Sequence, residues 1–268
     1  MKDKKNSKDS KELQKVLGYT VVHVQVGDGL KDFGIHKDLI CHHSPYFRAA
    51  FNSGFEETTI GIMKLPETDA NVFELFYHWL YTQKLVLPPC DEAKANAGKN
   101  CKLCKDQQEI DTDDDDTDDD DADDNNTDEP IPQHDDACIL QEFSQKEIKH
   151  LVMLYIFANM AQIPVLQNLC IKTFYEATET YDMVAVDEVE YIWEHTTSTS
   201  LLRKIMVDML TWEYDPSNYI HYPDYLPTFL KDEVLFAMGK RLRRAEIGGD
   251  IWDSPLDDIT NYYVKVEQ

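Results

Sequence analysis

The sequence predicts a fold of the α/β class, of the α+β type, with short strands near the N-terminus followed by helices. Three observations predict it. The stretch "YTVVHVQVGDG" alternates apolar and polar residues, whereas "DANVFELFYHWLYT" and "SLLRKIMVDMLTW" repeat apolar residues at helical spacing. Between residues 90 and 142 the composition turns polar and then almost purely acidic, which separates two folded stretches.

Residues 1–15 read as a polar tail. Val22, Val24 and Val26 then share one face of a strand, with Val21, His23 and Gln25 on the other, and Gly27-Asp28-Gly29 turns the chain into a second strand ending near Ile35. Ser44 followed by Pro45 is a cap and first-turn proline, and Gly54 closes that helix, on which Phe47, Ala50 and Phe51 share a face. "TTIGIMKLP" reads as a third strand. In the next helix Val72, Leu75, Phe76, Trp79 and Leu80 make one apolar side, and Phe73, Tyr77 and Tyr81 make the other apolar too. "KLVLP" reads as a short fourth strand.

From 90 to 142 the chain is expected to be a disordered insertion, since it offers too little apolar area to offset the entropy of ordering it. "FSQKEI" marks re-entry, with Ser144 as N-cap, Glu147 as its capping-box partner, and Phe143 with Ile148 as a staple. Pro164 opens a further helix whose face carries Leu166, Leu169, Cys170, Thr173 and Phe174. A helical region follows over 182–245, clearest where Leu202, Ile205, Met206, Met209 and Leu210 line one side. Residues 246–268 read as a tail.

The 268-residue chain carries a formal net charge of −25. Residues 106–145 hold 18 acidic residues and no Lys or Arg, leaving about −7 for the remainder. A globally acidic protein repels nucleic acid, so no direct nucleic-acid binding is expected. No run of about 18 apolar residues is present, so no membrane span is expected, and six cysteines are too sparse for a disulfide framework. The reading is a soluble intracellular protein of the cytoplasm, the nucleus or both.

"HKDLICHHSPYFRAAFNSGFEE" gathers three histidines and a cysteine. On a helix Cys41, His42 and His43 are each roughly 100° apart and cannot converge on one ion, and His36 precedes the helix, so the structural reading is preferred. Cys101 and Cys104 in "NCKLC" have half a zinc-knuckle spacing. A four-ligand site would add Cys90 and either Cys138 or His134, and reduced thiols in a loop are the favoured alternative. The tract of Asp113, Asp114, Asp115, Asp116, Asp118, Asp119, Asp120 and Asp121 reads as a solvated spacer or as a lure for basic, histone-like partners. "GKRLRR", 239–244, fits a nuclear import signal or cations complementing a helix C-terminus, and the second suffices. Phosphate-binding loops, nucleophile elbows and zinc-protease signatures are absent from the sequence, so no catalytic residue and no cofactor are expected.

The order of elements resembles the BTB/POZ domain, and three stretches carry the resemblance further. These are "FGIHKDLICHHSPYFRAAFNSGFEET", "IMKLPETDANVFELFYHWLYTQKL" and "LYIFANMAQIPVLQNLCIKTF". The wording is most similar to the BTB proteins of filamentous fungi that continue into a helical C-terminal extension. The resemblance implies a helical cluster flanked by a small mixed sheet over 16–177, in which Asp38 caps a short helix and Leu39 points inward. It implies a protein–protein interaction module that self-associates through Leu39, Tyr46, Phe47, Arg48 and Phe51. It also implies a substrate adaptor for a cullin-based ubiquitin ligase, with the cullin scaffold meeting Tyr77, Tyr81 and Leu85 and the C-terminal helices left to hold the substrate.

Overall fold

A computed structural model describes residues 18–54, 56–86, 136–181, 184–214, 226–246 and 254–266. Two compact units divide these residues: 18–86 with 148–266 form one, and 136–147 belong to the other.

Strands β1 (Val21–Val26) and β2 (Lys31–His36) pair antiparallel, and β1 pairs parallel with β3 (Ile62–Leu65). The sheet is therefore mixed, in the order β2-β1-β3. Val22, Val24 and Val26 are buried as the alternation predicts, while Val21 faces solvent. The turn between β1 and β2 places Gly27 at φ +73° and Leu30 at φ +49°. Glycine adopts that left-handed conformation without steric cost, which is what the turn asks of position 27.

Helix α1 (Lys37–His43) follows β2 directly, and α2 (Pro45–Asn52) follows after Ser44. Asp38 does not cap α1. His36 occupies the N-cap, so Asp38 lies within the first turn, where a carboxylate still complements the helix dipole. Its carboxylate packs against Gly18, where a side chain would collide with it. Leu39 is buried, as expected.

The third strand is shorter than the sequence suggests. Helix α3 (Glu56–Ile60) takes up most of "TTIGI", and Gly61 at φ +68° ends it before β3 begins. β-Branched residues favour strands only weakly, and here a short helical turn wins. No fourth strand forms over residues 84–86, and the rest of "KLVLP" lies outside the described residues.

Helix α4 (Ala70–Thr82) is capped by Asp69, whose carboxylate accepts from the backbone N–H groups of Asn71 and Val72. Helix α5 runs from Asp136 to Met160. Ser144 therefore sits inside a helix rather than at its start, and the insertion expected through residue 142 ends by 136. Ala137, Leu140, Gln141 and Glu142 are good helix formers, so the backbone ladder propagates past a serine that would otherwise have capped it. Glu147 and Ile148 are both buried. The N-terminal tail expected over 1–15 and residues 90–135 of the insertion lie outside the described residues.

Helix α6 (Pro164–Tyr181) buries Leu166, Cys170 and Phe174, and also Ile171, which the helical repeat had not singled out. Helices α7 (Val189–His195), α8 (Leu201–Trp212) and α9 (Thr228–Glu246) complete the helical region. All five residues expected on the inner side of α8 are buried.

The closing segment is not a tail throughout. Pro255–Asp257 and Ile259–Tyr262 form 3-10 turns that bury Leu256 and Tyr262. The Tyr262 hydroxyl donates to Asp208 of α8 at 2.8 Å. Asn168 of α6 meets Val264 twice, its side-chain amide donating to the carbonyl at 2.9 Å and its Oδ1 accepting from the N–H at 2.6 Å. Two isolated anchors with no repeat between them leave no periodic trace in a sequence.

The core is a stack of aromatic rings. Phe76 of α4 lies 6.1 Å from Phe47, 5.3 Å from Phe73, 6.1 Å from Trp79 and 5.0 Å from Phe157 of α5. Rings of this size bury about 150–250 Å² each. At about 25 cal/mol per Å² that is worth about 4–6 kcal/mol per ring.

Ser44 stitches the two ends of this core together. Fully buried, its hydroxyl donates to the Ala161 carbonyl at 2.6 Å and accepts from the Phe47 N–H at 3.2 Å. Ser44→Ala removes both bonds and is expected to destabilise by about 1–3 kcal/mol. Urea unfolding should show the midpoint fall with an unchanged slope.

Candidate interaction surface

Helix α4 is apolar on both sides, but its two sides have different fates. Val72, Phe73, Phe76, Trp79 and Leu80 are buried, whereas Tyr77, Tyr81 and the following Leu85 are only half-buried. Tyr77 lies 5.8 Å from Phe33 of β2 and 5.0 Å from Tyr81. The Tyr81 hydroxyl takes the His36 backbone N–H at 3.3 Å and lies 2.9 Å from His36 Nδ1. Burial raises the Tyr81 phenol above its ordinary value. The outer face of α4 is thus a set of aromatic side chains held in place from beneath, with Val86 exposed beside them.

The residues assigned to self-association divide differently. Leu39, Phe47 and Phe51 lie wholly in the interior of the protomer. Tyr46 is half-buried, and desolvation followed by the charge of Glu57 raises its phenol. The exposed Arg48 donates from Nε to the Cys41 carbonyl at 2.8 Å and from Nη2 to the His42 carbonyl at 3.1 Å. It therefore caps the C-terminal carbonyls of α1, complementing that helix's dipole.

The histidine-rich stretch scatters its side chains among separate partners. His36 meets Tyr81, and the Cys41 thiol points at the Phe47 carbonyl at 3.8 Å, its pKa raised by burial. His43 packs edge-on against Trp79 at 5.5 Å and against His42 at 4.9 Å. Among the described residues no group of three or more His, Cys, Asp or Glu side chains is arranged to hold a metal ion. Cys90, Cys101, Cys104, His134 and the acidic tract from Asp113 to Asp121 lie outside the described residues, as does the side chain of Cys138. Among the described residues no helix is long and apolar enough to cross a membrane.

Burial, and then the charge of His42, lowers the His43 pKa to about 4. The unfolded chain, with an ordinary pKa near 6.5, binds a proton that the folded chain refuses. Stability is therefore full above pH of about 6.5 and falls as pH drops toward 4. Discounted for partial solvent screening, the loss is on the order of 1–2 kcal/mol. Unfolding in urea at pH 7 and pH 4.5 should show a smaller acid penalty for His43→Gln than for the wild type.

The three-stranded mixed sheet and the helix pair joined at Ser44 are what the resemblance to a BTB/POZ domain, a protein-interaction module, leads one to expect of residues 18–86. The family model of the BTB/POZ domain matches residues 12–105. Over 68 residues the chain is 32% identical to the human Kelch repeat and BTB domain-containing protein 8, covering 25% of this chain and 11% of that protein. Over 67 residues it is 31% identical to Kelch-like ECH-associated protein 1A of Danio rerio, again covering 25% and 11%.

The repeat of α4 marked its buried side, but its second apolar side, which such a repeat predicts to be buried as well, leaves Tyr77 and Tyr81 half-buried. The roles of Arg48 and the Tyr81–His36 pair, and the bond from Ser44 to Ala161, were not legible, because each depends on a group brought close only by the fold.

Proposed function

We propose that this chain is a non-catalytic adaptor that docks a cullin-type scaffold through the outer face of α4 and presents a partner protein through its C-terminal helices. The observation that carries this is the pre-ordered, half-exposed aromatic pair Tyr77 and Tyr81, with the half-buried Leu85 following it. Aromatic side chains already fixed in their bound geometry contribute affinity at low entropic cost. The filamentous-fungal form of the BTB domain, with its helical C-terminal extension, is the proposed branch of the family, acting in the cytoplasm, the nucleus or both. Self-association is proposed to use Tyr46 and Arg48, supported from beneath by Leu39, Phe47 and Phe51.

The test is a binding titration of the full chain against the N-terminal region of a cullin. Tyr77→Ala combined with Leu85→Asp is expected to weaken association by about 30-fold or more, a typical effect for truncating anchor residues. Circular dichroism of the variant should match the wild type. No binding by the wild type, or equal binding by the variant, overturns the reading.

A further inference from the structure

Between α8, α9 and the closing 3-10 turns lies a cleft of about 810 Å³, remote in sequence from the α4 face. Helix α8 supplies Arg203, Lys204 and Trp212 to its walls, and α9 supplies Phe236, Lys240 and Arg241. Four of its cations lie against aromatic rings. Arg203 lies 5.1 Å from the Trp193 ring, Lys204 4.1 Å from Tyr262, Lys240 4.3 Å from Phe236 and Arg241 3.8 Å from Trp212.

These contacts hold long, flexible side chains in place before any ligand arrives. Arg203 is fixed further by the carbonyls of Trp193 and Thr196, and Arg241 by the Thr211 carbonyl at 3.3 Å. Three of the acids in the wall are turned onto structural donors. Asp208 accepts from Tyr262, Glu233 from the Trp193 indole, and Asp258 from the Thr260 N–H and hydroxyl. Phe236 nevertheless remains 66% exposed, an apolar surface set among cations.

The basic run "GKRLRR" is ordered by this geometry. Lys240 and Arg244 follow Phe236 at four and eight residues and share its side of α9, and Arg241 reaches the cleft from the flank of that helix. Such a wall suits carboxylates spaced by apolar side chains. The acids among its cations disfavour the dense, unbroken charge of a polyphosphate such as nucleic acid.

We infer that this cleft is a binding site for an acidic, apolar-spaced peptide segment of a partner protein. Carboxylates of the peptide meet Lys240 and the guanidinium groups, and an apolar side chain lies against Phe236 and Trp212. The site rests on the interaction-module reading only in supplying its partner grip; peptide binding is measured with no cullin present, so either can fail alone.

The experiment is fluorescence anisotropy of the full chain with a labelled peptide of alternating Glu/Asp and Phe/Leu. Lys240→Glu, which replaces an attraction with a repulsion, is expected to weaken binding about tenfold. Phe236→Ser is expected to weaken it severalfold, and both substitutions are at exposed positions that leave the core intact. Any attachment of a Lys-for-Glu peptide to the aspartates of 106–136 should not respond to Lys240→Glu. Absence of binding by the acidic peptide, indifference to both substitutions, or tighter Lys240-dependent binding of a phosphopeptide or an oligonucleotide overturns the inference.

Discussion

Phe76→Ala is expected to remove about 3–5 kcal/mol of unfolding free energy, the range for deleting a buried phenyl ring. Phe76 is fully buried and touches four other rings, Phe47, Phe73, Trp79 and Phe157, from three helices. Two of those neighbours lie roughly parallel to it, at 12° and 28°, so they cannot tilt into the void without leaving their own partners. The cavity should therefore stay largely open, which places the cost at the upper end of the range. A domain of ordinary stability holds only about 5–15 kcal/mol, so the variant would sit near the unfolding threshold at 37 °C. Trp79 fluorescence in urea would report it, and a midpoint shift smaller than that expected for about 1 kcal/mol would show that the aromatic stack is not the centre of the fold.

Tyr262→Ala is expected to cost about 3–4 kcal/mol, an effect that a dangling C-terminal tail could not produce. Its ring is fully buried beneath Lys204, and its hydroxyl donates to Asp208. Burial first, and then the hydrogen bond and charge of Asp208, raise its phenol far above the ordinary value. Tyr262→Phe separates the two contributions. It keeps the ring and removes one hydrogen bond, while Lys204 still lies 3.4 Å from Asp208, so about 1 kcal/mol is expected. Thermal unfolding of both variants measures the difference. Equal and negligible losses would return residues 254–266 to the status of a tail.

Much of this was legible in the sequence, and the legible part has one character. Val22, Val24 and Val26 declared their face by alternation, and Leu202, Ile205, Met206, Met209 and Leu210 declared theirs by the helical repeat. Ser44-Pro45 announced a helix start by cap chemistry, and the Ser44 hydroxyl makes that bond. The misreadings share a character too. Ser144 has cap chemistry but lies within α5, because a cap is optional where good helix formers precede it. Asp38 was expected at an N-cap that His36 occupies, a shift within the ordinary uncertainty of a helix boundary. Tyr262 was passed over because an adjacent pair of tyrosines in a polar segment has no period to betray which of them is buried.

By itself the sequence determined which faces of the longer elements are apolar and where the main turns fall. Those properties follow from neighbours along the chain, where period and turn chemistry act. Only the tertiary structure decided that Ser44 bonds Ala161, that Arg48 serves the end of its own neighbouring helix, and that Tyr262 seats on Asp208. It also decided that the cations of α8 and α9 face one another across a cleft. Hydrogen bonds and charge act across a few ångströms of space, and the residues joining them here lie as far as 117 positions apart.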